Sequence, residues 1–240
     1  MVGTPYEDWE QKTFLPGRTE NSEGFLEGTT YSISGEMKKF ELHVSPYQNN
    51  VELCTFRDVT QDRENEEKLR DAAYTDSMTT LYNRRYLYQF ISEQSERMLL
   101  NLFAIDLDHF KAINDTYGHE AGDEAIILTA KTLKECFSED TVIRTGGDEF
   151  LVVKTGDYLM DDLKKQAEVL LDTLTEKFGS NYKFKELSAS VGITQGILDG
   201  NIDELIHHSD QALYDAKNSG RNRYCVYDTN SKVKKIGEVI

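Results

Sequence analysis

The sequence is poor in residues that cross-link a chain and poor in positive charge. Its three cysteines, Cys54, Cys136 and Cys225, are odd in number, widely separated and without metal-ligand spacing. This argues against a disulfide framework or a zinc site and favours packing roles. Lys and Arg number 27 against 43 Asp and Glu, a formal charge of -16, so we expect no nucleic-acid partner. A phosphate ligand would have to be bound locally, by metal ions or by a few basic side chains.

Long hydrophobic runs are also missing. The longest apolar stretches, such as 98–105, fall far short of the roughly 20 residues that a spanning helix needs, and the N-terminus lacks a signal-peptide layout. We therefore expect no membrane segment in this chain and a cytoplasmic location. With 240 residues and 38% hydrophobic content, the chain is long enough for one domain and a smaller attachment.

Strand and helix patterns alternate along most of the chain, after residues 1–34, which show no sustained period and are expected to be irregular. Alternation at Phe40, Leu42 and Val44 predicts a hairpin over 35–59. Later strands are predicted at 98–106, 141–153 (two runs joined at a glycine turn), 185–195 and 224–227, and helices at 60–75, 121–137, 159–178 and 202–217. The fold class is α/β (α+β), with a central mixed or antiparallel sheet covered by helices and a small N-terminal β-rich segment.

Three carboxylates stand at the ends of predicted strands. Asp106 ends an apolar strand, and Asp148 and Glu149 follow a turn at Gly146 and Gly147, which accept positive φ and let a ligand approach the backbone. If the strand before this hairpin runs beside the one ending at Asp106, all three acids reach one edge of the sheet. Such a cluster suits a hard divalent cation. Taken alone, the glycine turn favours a hairpin with exposed acids, and it is the upstream Asp106 that shifts the interpretation towards a metal site.

Four ordered blocks resemble one known family. They are 76–85 (Asp-Ser-Met-Thr-Thr-Leu-Tyr-Asn-Arg-Arg), 106–123, the hairpin 146–150 (Gly-Gly-Asp-Glu-Phe) and 210–223. In this order and spacing they resemble the GGDEF domain of diguanylate cyclases, over 76–229. The resemblance implies a fold similar to nucleotidyl cyclases and palm-like domains.

The resemblance also implies a reaction. The family condenses two GTP into cyclic di-GMP and two pyrophosphates, and its two facing domains imply a homodimer. The catalytic residues would be Asp106, Asp148 and Glu149. Asp106, Asp148 and the backbone carbonyl of Leu107 would hold Mg²⁺, two ions per site, for which Mn²⁺ could substitute. Glu149 would either complete the second metal site or deprotonate the attacking hydroxyl.

Substrate contacts follow from the same resemblance. Asn114 and Asp123 match guanine-recognising positions, and a carboxylate can accept hydrogen bonds from guanine N1 and N2. The remaining candidates for substrate binding are Gly146, Gly147, Phe110, Lys111, Lys217 and Arg221. Lys217 and Arg221 would bind the terminal phosphates, although both could instead complement a helix C-terminus. Lys111 could be a solvated lysine and Phe110 a pocket wall, and Asp108 is expected to support the loop without binding metal.

Two positions depart from the family pattern. Thr80 stands at a position that is usually glycine, which leaves the geometry of that turn in question. The inhibitory Arg-x-x-Asp site that binds cyclic di-GMP in many members is absent, because Phe137 replaces the arginine while Asp140 is retained. We therefore expect no product inhibition of the usual type.

The N-terminal segment is open to several interpretations. Residues 1–59 resemble the last strands of a PAS sensor domain, and they could be a truncated PAS unit, an intact smaller module or a linker with one hairpin. Residues 60–75 would be a linker helix and 230–240 a C-terminal tail. The main rival function is a silent GGDEF domain that binds GTP or a partner protein as a regulatory module. A different nucleotidyl cyclase on a related sheet is a further alternative.

Overall fold

The computed structural model describes residues 19–20, 25–31, 35–46, 52–93, 97–199, 201–227 and 234–235. Residues 47–51 of the predicted hairpin lie outside these residues, as do 1–18 and most of the predicted tail. The chain forms two compact units, Met1–Asp71 and Ala72–Ile240.

The first unit contains a four-stranded antiparallel sheet in the order β1-β2-β3-β4. Its strands are β1 Thr19–Glu20, β2 Phe25–Tyr31, β3 Met37–Pro46 and β4 Glu52–Asp58, and helix α1, Thr60–Tyr74, follows. The predicted hairpin over 35–59 is β3 and β4. The expectation that residues 1–34 are irregular is wrong for Thr19–Glu20, which pairs with β2, and for Phe25–Tyr31, which pairs along its full length with β3. The Gly-Thr-Thr sequence of β2 interrupts the apolar alternation from which a strand is predicted.

The second unit contains a seven-stranded sheet in the order β11-β10-β9-β6-β8-β7-β5. Its strands are β5 Tyr82–Asn83, β6 Met98–Asp108, β7 Thr141–Gly146, β8 Glu149–Thr155, β9 Ser188–Leu198, β10 Tyr224–Val226 and β11 Lys234–Lys235. The central strand β6 is antiparallel to both neighbours, whereas β10 is parallel to β9 and β5 is parallel to β7. Two residues of the predicted tail therefore join the sheet, as β11.

Helices cover both faces of this sheet. They are α2 Arg84–Ser92, α3 Phe110–Tyr117, α4 His119–Cys136, α5 Met160–Gly179 and α6 Asp203–Asn218. The predicted fold class is confirmed, although α2 and α3 were not among the predicted helices. Both are short, so their apolar period repeats over little more than two turns.

Alternation along β6 divides its side chains between the two faces. Phe103, Ile105 and Leu107 belong to the core formed with α4 and α5. Leu102 and Ala104 belong to the core formed with α2 and α6. Asp106 and Asp108 lie on the same face as Leu102 and Ala104, because alternate residues of a strand share a face. They therefore face α6.

Helix α6 lies unusually close to the sheet at Gly192 of β9. A Cβ on Gly192 would lie 2.1 Å from the backbone oxygen of Ser209 and 2.3 Å from the backbone nitrogen of Leu213. The helix presents small side chains there, since Ala212 and Ala216 are fully buried with Cys225. This close approach fixes the position of the C-terminal end of α6 over the edge of the sheet.

The turn between α1 and β5 contains a strained residue. Thr80 has φ 58°, a left-handed conformation that is unfavourable for a β-branched side chain. Two hydrogen bonds hold Thr80 in this conformation. The Thr80 amide donates to the backbone oxygen of Asp76 (2.8 Å), and the Lys134 ammonium donates to the backbone oxygen of Thr80 (3.2 Å). The threonine therefore does not change the geometry of the turn, because Thr80 adopts the left-handed conformation that glycine would adopt without strain.

We expect Thr80→Gly to stabilise the protein. Relief of left-handed strain is worth about 1–2 kcal/mol, partly offset by the greater entropy of an unfolded glycine, about 0.5–1 kcal/mol. The melting temperature should rise by about 2 °C. Ser77→Gly is the matched control, since Ser77 is exposed in the same turn without a positive φ, and it should lower the melting temperature slightly. A lower melting temperature for Thr80→Gly would contradict the strain argument.

Candidate active site

The predicted carboxylates meet at one edge of the sheet. Asp106 on β6 lies opposite Glu149 on β8, and the backbone amide of Leu107 donates to the carbonyl of Asp148 (3.4 Å). The condition considered for the sequence, that the strand before the glycine turn runs beside β6, is not met, because β8, the strand after the turn, pairs with β6. In an antiparallel pair the start of β8 meets the end of β6, so the acids converge by a different strand than expected.

Burial raises the pKa of two of these carboxyls, Asp106 and Asp148. Loss of water around the Asp106 carboxyl raises its pKa, and the charges of Asp148 and Asp108 add to this, while the Lys217 ammonium opposes it. Burial likewise raises the pKa of Asp148, with Glu149 adding to the effect and the Asp148 backbone amide and Lys217 opposing it. Two neighbouring carboxylates that both resist ionisation would ionise together most easily with a cation between them.

A cation of the chain itself already contacts Asp106 of this pair. The Nζ atom of Lys217, near the end of α6, lies 2.7 Å from Oδ1 of Asp106. Arg221, just beyond α6, lies with Nε 3.9 Å from Oδ1 of Asp108. The structure therefore brings both predicted basic residues to the acidic edge, and it places them on the carboxylates of β6.

The donor set fits a hard divalent metal in composition. Carboxylate and carbonyl oxygens are the ligands that Mg²⁺ prefers, and Asp106 is already stabilised by a positive group. Within the described ranges, no three His, Cys, Asp or Glu side chains come together as a group that could hold one ion. A site built on Asp106 and Asp148 would therefore need an oxygen of another kind, the role that the resemblance gives to the Leu107 carbonyl.

The glycine turn differs by one residue from the prediction. Gly146 ends β7 and pairs with Glu149, so the two turn residues are Gly147 and Asp148, not Gly146 and Gly147. Gly146 has φ 154° and Gly147 φ 53°, and no atom lies within 4 Å of a Cβ built on either. Glycine is therefore required here by backbone conformation, and the space beside the turn is open to a ligand.

A bridge centred on Arg144 holds this turn, and the sequence did not predict it. Its Nε and Nη2 donate to the carbonyl of Gly147 (3.0 and 2.8 Å), and its Nη1 donates to both carboxylate oxygens of Asp76 (3.0 and 3.1 Å). Burial by itself would raise the pKa of Asp76, but hydrogen bonds from Thr79 and Arg144 lower it below its ordinary value. The two partners are 68 positions apart in the sequence, so the only local signal was the position of Asp76 at the start of the first family block.

Helices α3 and α4 bring the predicted base-recognition residues together. A Cβ on Gly122 would lie 2.0 Å from Oδ1 of Asn114 and 3.2 Å from Cζ of Phe110, so both side chains pack against the glycine that precedes Asp123. Asn114 is half-buried and Asp123 is exposed. Lys111 is exposed on α3, and no contact described for it joins it to the carboxylates.

Comparison with known proteins decides the family. The family model for the GGDEF domain of diguanylate cyclases matches residues 73–223. The chain belongs to the GGDEF domain family. Diguanylate cyclase DgcM of Escherichia coli is 35% identical over 199 residues, covering 79% of this chain and 48% of DgcM. Cyclic di-GMP phosphodiesterase PdeR of the same organism is 33% identical over 192 residues, covering 78% of this chain and 29% of PdeR.

Solved GGDEF structures have the same fold. The coiled coil and GGDEF domain of DgcB from Caulobacter crescentus, solved in complex with c-di-GMP, matches with a TM-score of 0.62 and 26% identity, covering 70% of this chain and 92% of that chain. The chain spans about half the length of DgcM. The GGDEF match begins at residue 73, so a PAS-like unit before it stays a prediction. Among the helices that the structure describes, none is long and apolar enough to cross a membrane.

Proposed function

We propose that this protein is a diguanylate cyclase that condenses two GTP into cyclic di-GMP and two pyrophosphates. One observation carries the proposal: Asp106, Asp148 and Glu149 meet at one sheet edge beside the Lys217 ammonium, in a chain of the GGDEF family. A domain that only bound a partner would have no use for two partly desolvated carboxylates and a paired lysine at this edge.

Asp106, Asp148 and the Leu107 carbonyl would hold Mg²⁺, with Glu149 completing a second site or accepting the proton of the attacking hydroxyl. When bound, two ions would lower the pKa of the 3′-hydroxyl and neutralise the triphosphate. Each 3′-oxygen would then form a bond to the α-phosphorus of the other GTP, as the bond to pyrophosphate breaks. Glu149 is exposed, which suits a group that must meet a second nucleotide.

The other residues would bind and orient GTP. Lys217 and Arg221 would engage the terminal phosphates, and the open space beside Gly146 and Gly147 would admit the phosphate chain. The Asp123 carboxylate would accept hydrogen bonds from guanine, and the Asn114 amide could both donate and accept them. Gly122 leaves room for the Asn114 amide. Because one domain binds one GTP, the symmetric product requires a homodimer, and we infer that the N-terminal unit controls its assembly as a sensor.

One assay separates this function from a silent GTP-binding domain. The protein is incubated with GTP and Mg²⁺ at low and high protein concentration, and pyrophosphate and cyclic dinucleotide are measured. We expect turnover that rises more steeply than linearly with protein concentration, and none from the matched Glu149→Gln variant. GTP binding without turnover, even in a forced dimer, would favour the regulatory module, a possibility that the similarity to the phosphodiesterase PdeR keeps open.

We also expect cyclic di-GMP to leave the initial rate unchanged. Phe137, at the position of the missing arginine, is buried edge-on against Phe103, with ring centroids 5.2 Å apart. Asp140, the retained acid, is largely buried in an ion pair with Lys154 (3.0 Å). Neither side chain is available to a phosphate ligand.

The measurement is initial rate against added cyclic di-GMP, with Asp140→Ala as the comparison. Inhibition in the nanomolar to low-micromolar range that Asp140→Ala abolishes would show that an inhibitory site exists despite Phe137.

A further inference from the structure

The last residue of β6, Asp108, has a buried carboxylate that the proposed chemistry does not use. Its side chain is 0% exposed. Its Oδ1 accepts a hydrogen bond from the Ser190 hydroxyl (2.8 Å), and its Oδ2 accepts one from the Ser188 hydroxyl (2.8 Å) and one from the backbone amide of Asn222 (3.1 Å). A charge buried at this cost needs such partners, and one of them belongs to the loop after α6.

That loop has an unfavourable conformation. Arg221 and Asn222 have φ 62° and 47°, two consecutive left-handed residues of which neither is glycine. Asparagine tolerates this region, but arginine rarely adopts it. In the described part of the chain, Oδ1 of Asn222 is buried without a hydrogen-bond donor. A loop with these defects persists only when its surroundings fix it, and such strain often accompanies function.

The contact with Asp108 joins this loop to the central strand. Within the loop itself, the Arg221 amide donates to the carbonyl of Ala216 (3.2 Å), and Nε of Arg223 donates to the carbonyl of Arg221 (3.0 Å). These bonds shape the turn after α6 but do not join it to β6. The hydrogen bond from the Asn222 amide to Oδ2 of Asp108 joins the loop to β6, two residues from Asp106.

We propose that Asp108 is a positioning residue, whose buried carboxylate holds the loop 220–223 so that Arg221 faces the acidic edge and binds substrate phosphate. The inference rests on the proposed function, since it gives Arg221 a nucleotide to bind. Asp108 itself touches neither metal nor nucleotide.

The charge of Asp108 and its hydrogen bond to the loop have opposite expected effects on phosphate binding by Arg221. This hydrogen bond is called the tether below. The Asp108 charge, 3.9 Å from the Arg221 guanidinium, would by itself weaken the attraction of Arg221 for phosphate. The hydrogen bond to Asn222 strengthens binding by holding the loop. Asp108→Asn removes the charge but keeps an acceptor oxygen for the Asn222 amide, whereas Asp108→Ala removes both. Comparing the two variants isolates the tether.

The test is equilibrium binding of 3′-deoxy-GTP, which lacks the attacking hydroxyl, in the presence of Mg²⁺. We expect Asp108→Ala and Arg221→Ala each to weaken binding about tenfold, and the double variant to bind no more than about twofold more weakly than either, because both disable one contact. Asp108→Asn should bind within about threefold of wild type. In turnover, Asp108→Ala should raise KM more than it lowers kcat.

Asn101 supplies the matched control. It is equally buried on β6, and its side chain bonds to Lys154 and Gln195. Asn101→Ala should lower the melting temperature and leave 3′-deoxy-GTP affinity unchanged. If Asp108→Ala behaves in the same way, or if Asp108→Asn binds as weakly as Asp108→Ala, the inference is overturned.

A second measurement does not depend on nucleotide. Native-state cleavage by trypsin after Arg221 and Arg223 should accelerate in Asp108→Ala, since a released loop opens locally, and it should stay near the wild-type rate in Asp108→Asn and Asn101→Ala. Unchanged cleavage in Asp108→Ala would refute the tether. If wild type bound no 3′-deoxy-GTP, the proposed function and the phosphate role would both fail, while cleavage would still decide whether Asp108 holds the loop.

Discussion

Asp148→Asn should abolish nearly all cyclase turnover and, at the same time, make the protein more stable. Loss of a carboxylate that binds metal where charge develops in the transition state typically costs about 1000-fold in rate, or about 4 kcal/mol. The substitution is close to isosteric, so the turn at Gly147 and Asp148 should keep its conformation. Activity and stability are expected to change in opposite directions because the site is built from a group that burial disfavours.

The pH dependence of stability follows from the raised pKa of Asp148, whose first cause is burial. A carboxyl with a higher pKa folded than unfolded costs no stability below its unfolded pKa, about 4. The cost grows as pH rises from there through the folded pKa, and it is complete above it. The free energy of unfolding of wild type should therefore fall relative to Asp148→Asn over this interval, and the difference should be constant near neutral pH.

Thermal unfolding with a metal chelator present, between pH 3.5 and 7.5, measures this difference, because a bound cation would compensate the charge. The exposed Asp172 on α5 gives the control variant Asp172→Asn, which should change neither activity nor the pH profile. An Asp148→Asn protein that unfolds at a lower temperature than wild type at pH 7 would contradict the electrostatic argument, and one that retains turnover would contradict the metal site.

Gly192→Ala should strongly destabilise the second unit, although it adds only one methyl group. The added Cβ would meet the backbone of α6 at 2.1 and 2.3 Å, and backbone atoms cannot rotate away as a side chain can. Overpacking usually lowers the free energy of unfolding by about 1–3 kcal/mol. Because this contact is with backbone atoms, we expect a cost at or above the upper end of that range. We expect a fall in melting temperature of about 10 °C and weaker GTP binding, because α6 carries Lys217.

Gly196→Ala, on the same strand, is the matched comparison. There the added Cβ would meet Cδ2 of Leu205 at 2.4 Å, the end of a side chain that can change rotamer. Its cost should be about 1 kcal/mol, measured by chemical and thermal unfolding. Equal losses for the two variants would show that α6 shifts as freely as a leucine side chain.

The sequence predicted what depends on local pattern. The apolar run of β6 predicted the position of this strand to within two residues of its end at Asp108. The spacing of the family blocks named Asn114, Asp123 and Lys217 as candidate site residues without any geometry, and their roles stay predictions. The long helices α4, α5 and α6 were found within a few residues because their apolar period persists over several turns. The family and the fold class were predictable for these reasons.

Pairings between distant residues were not predictable. Either strand of the glycine hairpin could have bordered β6, since both are apolar, and only the sheet order shows that β8 does. Helix α3 begins after His109 at φ 62°, a start without a capping signal. The partnership of Arg144 with Asp76 crosses 68 residues, and nothing local to Asn222 indicates that its amide binds Asp108.

The ion pair between Lys217 and Asp106 has a consequence for the order in which ligands assemble. A metal ion that arrives alone must compete with the ammonium for Asp106, and the displaced lysine gains no new partner. A metal that arrived with a nucleotide would offer the lysine a phosphate in exchange, so we expect the proposed metal and nucleotide to bind with positive cooperativity. By thermodynamic linkage, each would then raise the affinity for the other by the same factor. In the proposed site, the lysine would therefore compete with a metal ion for Asp106 until substrate phosphate is also present.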